Sequence, residues 1–413
     1  MLKGDKKRIF LDYASITPID EKVRQEISKV EKKFWGNPSS IHSFGEEAKV
    51  VLENARISIA KNIHSKSSEV YFTSGGTEGL NIAILGAVKS FKNQKIIPHI
   101  IVSSIEHPAV LEPIKSLLKN GEAEVSFINP NENGIIKPES VERELKENTV
   151  LVVIQHANNE IGTLNPIRKI RGKIDDFINN KKSKSNESGL GNRISHPYLL
   201  VDASQSVLYE DISVERLGAH ILVFDGIKMY GPRGVGVLFI KNGVSIESIF
   251  FGGGQEGGVR PGTQNVSGAS GISVALDIAL KTREKESRRL KILRDYFINK
   301  IQKELKGVSL NGSLENRLPN NINVCFSHFA KASRDESNKL DSEFLVIKLD
   351  TVGFSVSNAS ACHNIAMENS SYVIEAISKK DCSNSSLRIT LGRDTKKSDL
   401  ERLIKTLKNI LNK

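Results

Sequence analysis

Lys228 stands in the turn of FDGIKMYGPRGVGVLFIK (residues 224–241), pinned between the apolar runs HILVF and VGVLFI. An amine held at a strand end can attack a carbonyl compound, although an ordinary loop lysine is the other reading. Upstream, VYFTSGGTEGLNIAILG carries an apolar strand through Ser-Gly-Gly-Thr into a helical pattern. Glycines let backbone N–H groups close on an anion, and a helix start favours negative charge. Gly76 and Thr77 therefore read as a phosphate cup, or as a plain strand–helix turn capped by threonine. YLLVDASQS sets Asp202 and Gln205 just past a buried strand, where ligands gather in open α/β sheets. Asp202 could equally cap its loop.

His107, in SSIEHPAVLEP, also follows a strand; it can stack on a flat ligand, carry protons near neutral pH, or hold its loop. Asn158 and Asn159, in QHANNEIGT, can bond a ligand or form a turn. Cys362, in SVSNASACHNIAMENSSYVIEAI, stands among small residues that would expose its thiol and let it move. Cys325, in the apolar run NINVCF, reads as buried and structural. Arg388, in SSLRITLGRDT, is a surface strand residue or a planar clamp for a substrate carboxylate. A phosphate cup, a strand-end acid and a downstream lysine are together what pyridoxal 5'-phosphate requires: an anion seat, a partner for its ring nitrogen and a Schiff-base amine.

The elements that must position these groups are short apolar runs alternating with amphipathic stretches. VYFTS, HIIVSS, EVSFIN, TVLVVIQHA, YLLVDAS, HILVF and GVGVLFI read as buried strands. TEGLNIAILGAVKSFK and VLEPIKSLLKNG read as helices between them, which predicts an α/β domain with a mostly parallel sheet. Residues 267–306 predict one long or broken helix. The strands NINVCF and SLRITL and a last amphipathic helix from about 396 follow it. We expect a large unit over 15–270 and a smaller α+β unit of 1–14 with 271–413, the boundary lying in the long helix. NNKKSKSNESGLGNRISH and FSHFAKASRDESNK read as surface insertions.

The chain has 413 residues, 38% hydrophobic and 26% charged, which suits a globular protein of two domains. Its net charge of +11 arises from 59 basic and 48 acidic residues. The basic residues are spread along the chain and aromatics make up only 6%, so direct nucleic-acid binding is not expected. Three cysteines without CxxC spacing predict neither a disulfide framework nor a metal site, and point to a reducing compartment. The start MLKGDKKRIFLDYAS lacks the apolar core of a signal peptide, and no run is long enough to span a membrane. The expectation is a cytoplasmic protein.

These residues together resemble the cysteine desulfurases of the class V aminotransferase family, the group with a long cysteine loop. The resemblance rests on LDYASITP, GNPSSIHSFGEEA, FTSGGTE, IEHPAVL, HANNEIGTLNPI, VDASQS, KMYGPRGVGVLFI, GGGQEGGVRPGTQN, NASACHN and LRITLGR, across nearly the whole chain. It implies the type I fold of pyridoxal-phosphate transferases, with a seven-stranded large domain. It also implies sulfur supply for iron–sulfur cluster assembly or tRNA thiolation. Lys228 would be the Schiff-base lysine, Asp202 would bind the ring nitrogen and Gln205 the ring hydroxyl. His107 would stack on the ring and move protons. Gly76 and Thr77 would hold the phosphate, with Thr263 reaching it from a partner subunit, hence a homodimer. Asn37, Asn158 and Arg388 would orient the substrate. L-cysteine would displace Lys228, the freed amine would move the α-proton, and Cys362 would take the sulfur as a persulfide for an acceptor protein, leaving L-alanine.

The chain departs from that pattern at the anchor. Asp225-Gly226-Ile227-Lys228 replaces the family's usual Ser-x-His-Lys, Gly79-Leu80 a usual Ser-Asn, and Pro261 a usual serine. An ionised Asp225 beside a phosphate should repel it by roughly 1–4 kcal/mol. Two other readings are a related pyridoxal-phosphate lyase or transaminase, which would have no need of Cys362, and a non-catalytic paralogue acting as an assembly partner.

Overall fold

All seven apolar runs become strands of one sheet. The computed structural model describes residues 8–91, 96–184, 196–326, 342–358 and 370–411. Cys362 and most of both polar insertions lie outside them. After β1 (Ile9–Phe10) come β2 (Val70–Thr73), β3 (His99–Ser103), β4 (Glu124–Ile128), β5 (Thr149–Val153), β6 (Tyr198–Asp202), β7 (Ile221–Asp225) and β8 (Gly236–Ile240). The helices among them are α1 (Glu21–Lys33), α2 (Ser43–Asn62), α3 (Gly76–Phe91), α4 (Pro108–Lys119), α5 (Pro138–Glu144), α6 (Ile167–Lys184) and α7 (Val214–Leu217). The strand order is β2-β8-β7-β6-β5-β3-β4, and only β8 runs against its neighbours.

The runs are continuously apolar because both faces of the sheet are covered. Alternate residues serve opposite cores. Ile101, Val152, Val201 and Phe224 pack in one core with Leu52 of α2 and Ile174 of α6. Ile100, Val102, Leu151 and Val223 pack in the other with Ala83 of α3 and Ile114 of α4.

The long helix α8 (Val266–Glu304) follows, and Asn265 caps it by accepting from the Gly268 N–H at 2.9 Å. Beyond it lie β9 (Ser309–Leu310), β10 (Asn321–Cys325), α9 (Ser342–Thr351), β11 (Phe354–Ser355), β12 (Ser357–Asn358), α10 (Tyr372–Ala376), β13 (Ser386–Thr390) and α11 (Lys397–Leu411). A four-stranded sheet has the order β12-β13-β10-β9, and β1 pairs with β11. The chain's first strand is thus built into the C-terminal part of the molecule. Among the described residues no helix is long and apolar enough to cross a membrane.

The expectation that no disulfide forms is overturned. Cys325, ending β10, and Cys382, in the turn after α10, are bonded with their Cα atoms 5.4 Å apart. That separation suits the bond, and both residues are buried. The partners stand 57 residues apart in the chain. They meet because β10 pairs with β13, which places Cys325 opposite Ser386. The cysteine count therefore gives no support to a reducing compartment.

A buried ion pair ties the edge of the large sheet to the glycine-rich segment GGGQEGG. The two terminal nitrogens of Arg56, on α2, meet the carboxylate of Glu256 at 2.7 and 2.8 Å. Glu256 also accepts from the Phe72 N–H at 2.9 Å, and Arg56 donates to the Val70 carbonyl at 2.7 Å. Glu256→Ala should cost about 3–5 kcal/mol in urea unfolding, because it leaves buried Arg56 with only the half-exposed Glu53, 3.2 Å away, as counter-charge and strips the Phe72 N–H of its acceptor. Arg56→Met with Glu256→Leu should recover the part of the loss that comes from the unpaired charge, but not the Phe72 N–H bond; equal destabilisation by the single and double variants would refute this account.

Candidate active site

The C-terminal ends of β2, β3, β5, β6 and β7 open on one cavity. Gly76, Thr77, His107, Asp202, Gln205, Lys228 and Arg388 all line it. Strand ends meet here because parallel strands deliver their loops to the same edge.

Lys228 closes a single helical turn, Gly226–Lys228, whose start is capped by the Asp225 side chain. A Cβ on Gly226 would lie 2.8 Å from the Pro232 carbonyl oxygen, so only glycine lets the turn double back. The Lys228 Nζ donates to the carbonyls of Ala14 and Ser15 at 2.8 and 2.6 Å. Gln205 donates its amide to the same Ala14 carbonyl at 3.0 Å. Asp202 ends β6, and one of its oxygens accepts from the Ser204 N–H at 2.9 Å.

His107 is the N-cap of α4. Its Nδ1 accepts from the Ala109 N–H at 3.1 Å, with Pro108 in the first turn. That bond needs an unprotonated Nδ1 and orients the ring. Behind it Glu106 is fully buried. One of its oxygens accepts from the Gln155 N–H at 2.9 Å, and the other has no partner among the described residues. Burial, reinforced by the charge of Asp202, pushes the Glu106 carboxyl well above the usual range.

Arg388 is 2% exposed. Its guanidinium donates to the Asn159 carbonyl at 3.1 Å, the Asp12 carboxylate at 2.9 Å and the Ser15 hydroxyl at 2.8 Å. Its Nε–H has no partner among the described residues.

At the anion end, α3 begins at Gly76, and the Gly76 N–H donates to Asp225 Oδ2 at 2.9 Å. Gly75 has φ +155°, and a Cβ there would lie 3.1 Å from that oxygen. Only glycine permits both the conformation and the approach. The other Asp225 oxygen accepts from the Ile227 N–H at 3.1 Å.

Three expected residues lie elsewhere. Asn158 is fully buried behind the cavity; its side chain accepts from the Glu160 and Ile161 N–H groups and donates to the Ile105 carbonyl. It shapes the turn, and Asn159 lines the cavity instead. Asn37 is exposed and bonds the Ser39 N–H at 3.0 Å, and Thr263 is exposed away from the cavity. Cys362 lies outside the described residues. Gln155, Ser204 and the carbonyls of Ala14 and Ser15 were not anticipated. Gln155 and Ser204 each stand within three residues of a strand end, which was the available signal.

The aminotransferase class-V family matches residues 9–178 and 189–403. The chain belongs to this family. It is 38% identical over 409 residues to a cysteine desulfurase IscS of Dictyoglomus turgidum, covering 99% of this chain and 95% of that one. It is 36% identical to cysteine desulfurase IscS 1 of Archaeoglobus fulgidus, covering 98% and 97%. Among solved structures it resembles a NifS-like protein with a TM-score of 0.84 at 29% identity, covering 98% and 99%. It also resembles SspA in complex with cysteine, with a TM-score of 0.73 at 29% identity, covering 92% and 98%. Class V desulfurases of this kind are pyridoxal-phosphate enzymes of the type I fold, and the mostly parallel seven-stranded sheet is that fold's.

The residues present suit that cofactor. A primary amine, a carboxylate, an amide and an imidazole surround one cavity, and a helix start lies at its end. The Asp225 carboxylate on the Gly76 N–H is itself an anion, so the helix start is a working anion seat.

A second buried acid supports the Arg388 side. Glu160 accepts from the Ser371 hydroxyl at 2.5 Å. Burial raises its carboxyl from 4.5 to about 7, against the opposing pull of Ser371 and Arg388. An acid harder to ionise when folded stabilises the fold fully below about pH 4.5 and loses that contribution as pH rises through about 7. Wild type should therefore lose unfolding free energy relative to Glu160→Gln across that window. Parallel urea-unfolding curves at every pH would refute the shift.

Proposed function

We propose that the protein is a cysteine desulfurase, taking sulfur from L-cysteine and releasing L-alanine. The sulfur passes through Cys362 to an acceptor protein in iron–sulfur cluster assembly or tRNA thiolation. The observation that carries the reading is the convergence of Lys228, Asp202, His107 and Arg388 on one cavity. The names of its relatives, and the cysteine held by SspA, support the substrate. Bound pyridoxal 5'-phosphate would supply the electron sink for bond changes at the cysteine α-carbon.

Lys228 would hold the cofactor at rest and, once displaced, move the α-proton. Asp202 would keep the ring nitrogen protonated, and Gln205 would bond the ring hydroxyl. His107 would stack on the ring and move protons; Nδ1 accepts from the Ala109 N–H, so the neutral ring carries its proton on Nε2. Arg388 would bind the substrate carboxylate, using the Nε–H that nothing described satisfies. Asn158 would act through the turn that presents Asn159, and Asn37 would contact substrate only after its loop moves inward. Gly76 and Thr77 would hold the phosphate. The Cys362 thiolate would form the new S–S bond as the substrate C–S bond breaks. Those electrons stay with the carbon skeleton, which is protonated and leaves as alanine.

We further propose a homodimer in which Thr263 serves the neighbouring subunit's phosphate. Its exposure supports this, as do exposed Ile41, Phe251 and the tilted ring pair Trp35–Phe44. Large apolar side chains left exposed are what an association surface would cover. A cytoplasmic location is part of the proposal. So is a boundary within α8 between residues 15–270 and the unit of 1–14 with 271–413. The large sheet lies wholly in 70–240 and the small one in 309–390, which supports that boundary.

The test is assay of alanine and sulfide from L-cysteine by the cofactor-loaded protein with a thiol reductant. Cys362→Ala should abolish sulfide release, and Lys228→Ala should abolish both products together with the visible absorption band. Wild type that makes neither product would sink the reading. Light scattering should give twice the chain mass, and Phe251→Glu or Ile41→Asp should shift it towards the single chain; a wild-type monomer would end the dimer proposal.

A further inference from the structure

The Asp225 carboxylate occupies the seat where an anion would be expected to sit. It takes the Gly76 N–H at 2.9 Å, and the open face of Gly75 lies against the same oxygen. Its backbone cannot retreat, because β7 lies between β6 and β8 with Asp225 in register with Gly236. Only side-chain rotation can clear the seat. Other acids stand close by. Glu78, on α3, accepts from the Ser74 N–H and pairs with Arg260 at 3.2 Å, and Asp202 lines the same cavity. Ile227 brings no polar side chain to this end of the cavity.

We propose that Asp225 is the specificity-determining residue for the cofactor's anion end. It fills the seat as an intramolecular anion that a phosphate must displace. The cavity then favours the phosphorylated cofactor over unphosphorylated pyridoxal far less than a seat without the acid would. The inference rests on the pyridoxal reading of the cavity. Its physical basis is that an incoming phosphate would either share the Gly76 N–H with a carboxylate at short range or lose that donor.

The experiment uses the full-length apoprotein as wild type, Asp225→Ser and Asp225→Asn. Asparagine keeps one oxygen for the Ile227 N–H that caps the lysine's turn, and it removes both the charge and the acceptor on the Gly76 N–H, so comparison with serine separates loss of the cap from clearing of the seat. Inorganic phosphate is titrated first, followed by thermal unfolding. Pyridoxal 5'-phosphate and pyridoxal are then titrated separately, followed by visible absorbance. Phosphate should raise the melting temperature of both variants and leave wild type nearly unmoved. The affinity ratio of phosphorylated to unphosphorylated cofactor should rise about tenfold or more in the variants, with pyridoxal affinity itself changing little. Equal responses of wild type and Asp225→Asn to inorganic phosphate, or equal affinity ratios, would overturn the proposal. If no protein develops colour with either cofactor, the pyridoxal reading fails, and the inorganic-phosphate arm alone decides whether Asp225 blocks the seat.

Discussion

The carbonyl of Ala14 accepts from two side chains that reach it from different strand ends, Lys228 at 2.8 Å and Gln205 at 3.0 Å. The next residue repeats the device, its carbonyl accepting from Lys228 and its hydroxyl from Arg388. The segment is itself held at both ends. The Ala14 N–H donates to the Thr390 hydroxyl at 2.9 Å, and the Thr17 hydroxyl donates to the Ile227 carbonyl at 2.8 Å. Residues 14–17 thereby join the edge of the large sheet to β13 of the small one. The lysine lies in the turn after a strand of the large sheet, and the arginine in a strand of the small one, in distant parts of the chain. Their relative placement depends on this short strip of backbone, and buried backbone bonds of this kind are rigid because every group is satisfied.

Charge in the cavity wall is handled by burial as much as by pairing. Glu106 and Glu160 lie behind it, and burial pushes both carboxyls up. An ionised acid in that position would have to be stabilised at considerable cost. Arg388, buried in the same region, pairs with Asp12 at 2.9 Å. Asp12 therefore competes with any incoming carboxylate, and an arginine already paired on one side holds a small anion less tightly and releases it more readily than an isolated one.

The large sheet was legible because its strands are buried on both faces and read as unbroken apolar runs. The cavity residues that follow those runs, His107, Asp202 and Lys228, were legible for the same reason: a strand's end announces itself. What failed needed information from outside the local run. The Cys325–Cys382 bond depends on the pairing of β10 with β13, and nothing near either cysteine signals it. The choice between Asn158 and Asn159 depends on the hydrogen bonds of one turn, where adjacent asparagines point to opposite sides. The partnership of Arg388 with Asp12 spans 376 residues of chain. Asn37 and Thr263 lie outside the single chain's cavity, so no reading of spacing could have placed them in it.

Asp225 shows why a rule broken locally can persist. Its two oxygens accept from two different backbone donors, Gly76 at the start of α3 and Ile227 inside the lysine's turn. A serine has a single oxygen with which to meet both. The carboxylate therefore couples the helix start to the turn that carries Lys228, and fixes the distance between anion seat and amine before any ligand arrives. Preorganisation of that kind reduces the ordering needed on binding, while the same negative charge opposes a phosphate. The two effects have opposite signs and arise from the same carboxylate, so asparagine, which drops the charge and keeps one oxygen for the Ile227 N–H, separates them better than a substitution that removes both oxygens.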